Sequence, residues 1–136
     1  MTILVPIADG PLREQVLDVA TEMSRRYDRP LYVVHLVGDA AADGDARAVR
    51  SAVDDYLSSA DAEYDVAIEH LSHGGARSGT RVAREILDLA ADVGVDHIVM
   101  GHTEKGFVEG VTQGSAASAV VDDATVPVTI VPESMA

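Results

Sequence analysis

The residues of this chain best suited to chemistry are glycines. An apolar run, His97-Ile98-Val99-Met100, ends at Gly101; a polar, glycine-rich loop follows, and Gly114-Ser115 then opens a small-residue helix over Ala116 to Val121. A strand, a glycine loop and a helix start in that order can hold a phosphate. The first N–H groups of a helix have no partner within it, and its macrodipole is positive at that end. The same residues have a plain structural reading, in which Gly101 ends a buried strand and the Ser115 side chain caps the helix by accepting a backbone N–H. Short motifs of this kind recur by chance, so the rest of the chain decides between the two.

Other polar residues add less. His35 lies in an apolar run and reads as a hydrogen-bonded core histidine. His70 and His73 are close in sequence, but no third ligand has convincing spacing and no metal site is expected. His102 and Lys105 fall in the glycine loop, where a donor to phosphate is useful. Arg77, Arg81 and Arg84 read as the exposed face of a helix. There is no serine in a nucleophile elbow, no Walker lysine and no carboxylate pair placed by a motif, so no catalytic residue is expected.

Composition bounds the partners. The chain has 136 residues, 47% of them hydrophobic, which is the size of one domain with a real core. A net charge of -13 repels nucleic acid phosphates and anionic lipid headgroups, so neither is an expected partner. Lys105 is the only lysine, and aspartate outnumbers glutamate. This resembles the composition of proteins from salt-accumulating halophiles, here read as a halophilic archaeon, where ionic strength screens self-repulsion. A GC-rich genome produces a similar bias. No apolar run reaches the roughly 18 residues of a membrane span, and Met1-Thr2-Ile3 does not open a signal peptide, so a cytoplasmic protein is expected. With no cysteine, disulfides, thiolate metal sites and cysteine nucleophiles are excluded.

The elements that must position the glycines alternate. Ile3–Ile7 is a short apolar run bounded by Asp9-Gly10-Pro11, as a buried strand ending in a turn would be. A helix with Leu12, Val16, Ala20, Met23 and Tyr27 on one face follows, then a strand rich in β-branched residues over Leu31–Val37. Gly38 to Gly44 reads as a polar loop before a second helix, whose apolar face is Ala46, Val49, Val53, Tyr56 and Leu57. Val66–Leu71 alternates imperfectly, as an edge strand would. A third helix carries Val82, Ile86, Leu89, Ala90 and Val93 and stops at Gly94, where a left-handed residue belongs. Asp96–Met100 is the fourth strand, and Val126–Val131, bracketed by Pro127 and Pro132, the fifth. The pattern predicts an α/β fold: one doubly wound, five-stranded parallel sheet with helices on both faces. Ligands of such sheets bind beyond the carboxyl ends of the strands, where strand order reverses. Asp9-Gly10 and Gly101-His102 lie at those ends.

Four segments, in this order across essentially the whole chain, resemble the universal stress proteins. They are Ile-Leu-Val-Pro followed by Asp9-Gly10, Val-Val-His-Leu, Asp-His-Ile-Val-Met-Gly, and Val-Pro-Val-Thr-Ile-Val-Pro. The ATP-binding branch of that family carries glycine, two residues, glycine, nine residues, then glycine and serine or threonine. Gly101 and Gly114-Ser115 match it, whereas Glu104 stands at the second glycine. A carboxylate a few ångströms from a phosphate costs on the order of a kcal/mol at surface-like dielectric, or roughly tenfold in affinity. The resemblance implies that Pro6, Ile7 and Asp9 meet the adenine and ribose, with Ala8 an extra residue between proline and aspartate. It implies that Leu36 and Met100 wall the base, that Gly114, Ser115 and Ala116 cradle phosphates beside Gly101, and that His102 lies in the same loop. It further implies a Rossmann-like homodimeric module that binds ATP or AMP, with Mg2+ accompanying ATP and at most weak hydrolysis, paired through strand 126–131. The alternative is a member that binds no nucleotide and works through protein contacts.

Overall fold

Leu4 and Val5 are neighbours in sequence and belong to different cores. Successive side chains of a strand point to opposite faces of a sheet, and here both faces are covered. The computed structural model describes residues 2–7, 12–37, 43–60, 62–70, 77–102, 111–113 and 116–132. They form strands β1 (Ile3–Ile7), β2 (Leu31–Val37), β3 (Tyr64–His70), β4 (Arg77–Ser78), β5 (His97–His102), β6 (Val111–Gln113) and β7 (Val128–Pro132). The helices are α1 (Arg13–Tyr27), α2 (Asp43–Leu57), α3 (Gly79–Val93) and α4 (Ala116–Asp123).

The main sheet has the order β3-β2-β1-β5-β7, and every pairing in it is parallel. On one face Ile3, Val5, Ile7, Val33 and Val99 meet Val16, Leu17 and Ala20 of α1 and Val53 and Leu57 of α2. On the other, Leu4, Val34, Ile98 and Met100 meet Val82 and Ile86 of α3 and Val120 of α4. Each such side chain contributes about 1.5–3 kcal/mol by leaving water. The expected doubly wound α/β fold is therefore present, and the imperfectly alternating strand β3 does lie at an edge.

Helix ends follow local chemistry. Gly94, at φ +76, takes the left-handed conformation that closes α3, and its N–H reaches the Ala90 carbonyl at 3.0 Å. Asp28 does the same for α1 at φ 53 without being glycine, at a cost of about 1–2 kcal/mol. The buried Ser24 hydroxyl donates to the Arg29 carbonyl just beyond it. Between elements, the Tyr56 hydroxyl of α2 donates to Asp18 Oδ1 of α1 at 2.7 Å. Arg50 Nη2 of α2 donates to the Val66 carbonyl of β3 at 2.6 Å.

Several boundaries differ from the sequence expectation. Tyr27 ends the apolar stripe of α1 but is 62% exposed, and Val93 at the end of α3 is 39% exposed. The helix expected after a loop to Gly44 begins at Asp43, the edge strand begins at Tyr64, and β7 begins at Val128 instead of Val126. Arg77 is not on the third helix: it lies in β4, which pairs in parallel with β6, Arg77 opposite Val111 and Ser78 opposite Gln113. Most consequential, Gly101 does not end its strand. β5 runs on to His102 because β7 supplies partners there, Val131 for Gly101 and Pro132 for His102.

Candidate functional site

Strand order sets the place. The chain steps from β1 to β2 to β3 in one direction and then resumes at β5 and β7 on the other side of β1. The reversal falls between β1 and β5, where open parallel sheets bind ligands beyond the carboxyl ends.

The pairing at this seam is short. β1 pairs with β2 over five positions, from Ile3–Leu31 to Ile7–His35, and β5 with β7 over five, from Ile98–Val128 to His102–Pro132. Between β1 and β5 the register holds only Ile3 opposite His97 and Leu4 opposite Ile98, although both strands continue. Pro6 supplies the reason. The Ile3 N–H is bonded to the Pro30 carbonyl on the β2 side, so alternate residues Leu4 and Pro6 aim their backbone groups at β5. Pro6 has no N–H to give. Proline is ordinarily confined to edge strands and bulges; here it sits in the central strand, at the position where the ladder with β5 stops.

The expected site residues are distributed around this seam. Pro6 and Met100 each lie two residues beyond the last registered pair, Leu4 and Ile98, and Met100 is fully buried against the α3 and α4 core. Leu36 lies in β2 two residues beyond Val34, the partner of Pro6. Ile7 is committed to the core with α1 and α2, and in the sheet it pairs with His35 of β2. His35, beside it, is buried as expected of a core histidine. Gly101 is buried, and His102 is half-buried opposite Pro132. Ala116 is the first residue of α4. Ala8, Asp9, Gly114 and Ser115 lie outside the described residues, as do Glu104, Lys105 and His73.

Sequence reasoning missed the β4–β6 pair, which brings the start of α3 beside the segment leading into α4. Its two- and three-residue strands carry too little periodicity to be seen. The role of Pro6 had a visible signal, a proline inside an otherwise central apolar run. Among the described residues no cluster of histidine and carboxylate side chains could hold a metal ion, and no helix is long and apolar enough to cross a membrane. Near β7, His97 Nε2 lies 2.8 Å from Thr129 Oγ1, and burial holds the imidazole below its ordinary pKa against an opposing pull from Asp96.

Residues 1–132 match the sequence profile of the universal stress protein family. No curated protein matches the chain. Among solved structures, a universal stress protein from Archaeoglobus fulgidus is 28% identical, with 96% of this chain and 92% of that chain covered and a TM-score of 0.68. A structure of the universal stress protein from Archaeoglobus fulgidus in complex with dAMP is 27% identical, covering 96% of each chain with a TM-score of 0.67. The universal stress protein UspA from Lactobacillus plantarum, 22% identical over 96% of this chain and 97% of that one, shares the fold with a TM-score of 0.73.

Proposed function

The chain belongs to the universal stress protein family, and from that premise we propose that it is a small cytoplasmic regulatory module that binds an adenine nucleotide, ATP or AMP. The observation that carries this reading is the early end of the β1–β5 ladder at the point of strand-order reversal, with Pro6 and Met100 just beyond its last pair. The dAMP complex of a relative 27% identical supports the ligand class. The base enters beside Pro6, Leu36 and Met100, with Ile7, Ala8 and Asp9 toward the ribose. The phosphates lie toward Gly101, His102, Gly114, Ser115 and the start of α4 at Ala116, where helix N–H groups favour an anion. Mg2+ would accompany ATP and offset the charge of Glu104. The module acts by binding, with weak hydrolysis at most, and works as a homodimer through β7.

A second reading has its own observation. Gly101 is explained by close packing against α1 without any ligand, which favours a member of the family that works through protein contacts. Calorimetry with AMP and with millimolar ATP and magnesium separates the two. Binding that is abolished by Gly114→Val and tightened about tenfold by Glu104→Gly supports the nucleotide site. No heat from either wild type or Glu104→Gly leaves the protein-contact reading in front.

A further inference from the structure

We infer that Pro6 is a positioning residue that keeps the carboxyl half of the β1–β5 seam unpaired for the ligand, at the expense of stability. The inference rests on the nucleotide reading above. The Ile98 N–H donates to the Pro127 carbonyl at 3.0 Å, on the β7 side, so the next residue, Val99, aims its backbone groups at β1. With Leu4 opposite Ile98, the donor that would reach the Val99 carbonyl is the N–H of residue 6. Pro6 has none. Val99 is fully buried, and among the described residues β1 offers its carbonyl no ladder donor. Buried backbone acceptors are rarely left this way. Any other apolar residue at position 6 would supply the missing N–H and zip the seam further, through the bridges between Val5 and Val99 and between residue 6 and Met100. The added ladder bond would hold together the two carboxyl ends beyond which the ligand binds.

The consequence is an opposed effect on stability and binding. In Pro6→Val, and in Pro6→Ala as a variant without β-branching, the new residue-6 amide should become protected from hydrogen exchange and the thermal midpoint should rise. AMP affinity should fall by roughly two- to tenfold, the equivalent of one net hydrogen bond. A merely structural proline would give a lower midpoint and unchanged affinity. Wild-type AMP affinity in both variants, or a residue-6 amide that exchanges as freely as an exposed one, overturns the inference. Absence of AMP binding by wild type and variants alike overturns the nucleotide reading instead. In that case a protected residue-6 amide still identifies Pro6 as the wedge in the seam.

Discussion

Leu12 occupies the space that a side chain on Gly101 would need. A Cβ built on Gly101 would lie 2.7 Å from Leu12 Cδ2 and 3.2 Å from Val16 Cγ2. Because Leu12 is buried, its methyl cannot swing into solvent to make room. Gly101→Ala should therefore destabilise the fold by about 1–3 kcal/mol through overpacking, lowering the thermal midpoint by several degrees. Leu12→Ala creates the room that the added methyl lacks, so the double variant should lose less than the sum of the single losses. Strict additivity in a thermal or denaturant double-mutant cycle would show that the two residues are not coupled.

Tyr56 should make the protein sensitive to alkali. Its hydrogen bond to Asp18, with burial and the Asp18 charge adding to it, pushes the phenol up to about 12 from 10.0. Between those values the unfolded chain has released a proton that the folded chain keeps, so stability is full below pH 10 and is lost as pH rises toward 12. Tyr56→Phe should cost about 0.5–1.5 kcal/mol at neutral pH and flatten this alkaline loss, as read from urea unfolding across the range.

His97 should act in the opposite direction on the acid side. Its lowered pKa means that the unfolded chain takes up a proton before the folded chain does, so stability is full above pH 6.5 and falls as pH drops below it. His97→Gln keeps a donor for Thr129 and removes the titration. The variant should show a shallower loss of stability as pH falls from about 7 to about 5, and an unchanged slope would assign that loss to other groups.

Dimerisation through β7 is open to a backbone test. The ladder that gives Ile98 the Pro127 carbonyl turns the backbone groups of Val128 away from β5, toward the free edge. Val128→Pro removes a donor from that edge and none from the ladder with β5. Sedimentation should show a wild-type dimer at micromolar concentration and a folded monomer for the variant. A wild-type monomer in high salt would count against the interface.

Salt should stabilise the protein. A net charge of -13 leaves repulsion that a shorter Debye length relieves. Molar potassium chloride should raise the unfolding midpoint clearly above its low-salt value; a flat or falling midpoint would remove the halophile reading.

The fold was legible where burial and chain chemistry agree. Val5 and Val33, Gly94 at the end of α3, and the imperfect alternation of β3 each carry their structural role in their residue type. Legibility failed where a distant partner decides. Gly101 looks like a strand terminator until β7 provides Val131 opposite it and Leu12, just before α1, packs against it. Arg77 looks helical until Val111, far along the chain, pairs with it. The candidate site divides the same way: its place between β1 and β5 follows from the order of strands and helices, whereas the wedge at Pro6 depends on which residues aim their backbone groups across the seam.

The guanidinium of Arg50, seated on the Val66 carbonyl, bears on how far self-association can run. Val66 turns its backbone outward from the sheet, because the neighbouring ladder spends the Glu63 carbonyl on Leu31. A sheet that offers two pairable rims can add copies at both and grow into an open filament. With one outward carbonyl of the β3 rim taken by a cation from its own helix, that rim is the poorer template for a second strand. If two copies pair through β7 as proposed, this asymmetry favours closure at two over an open filament.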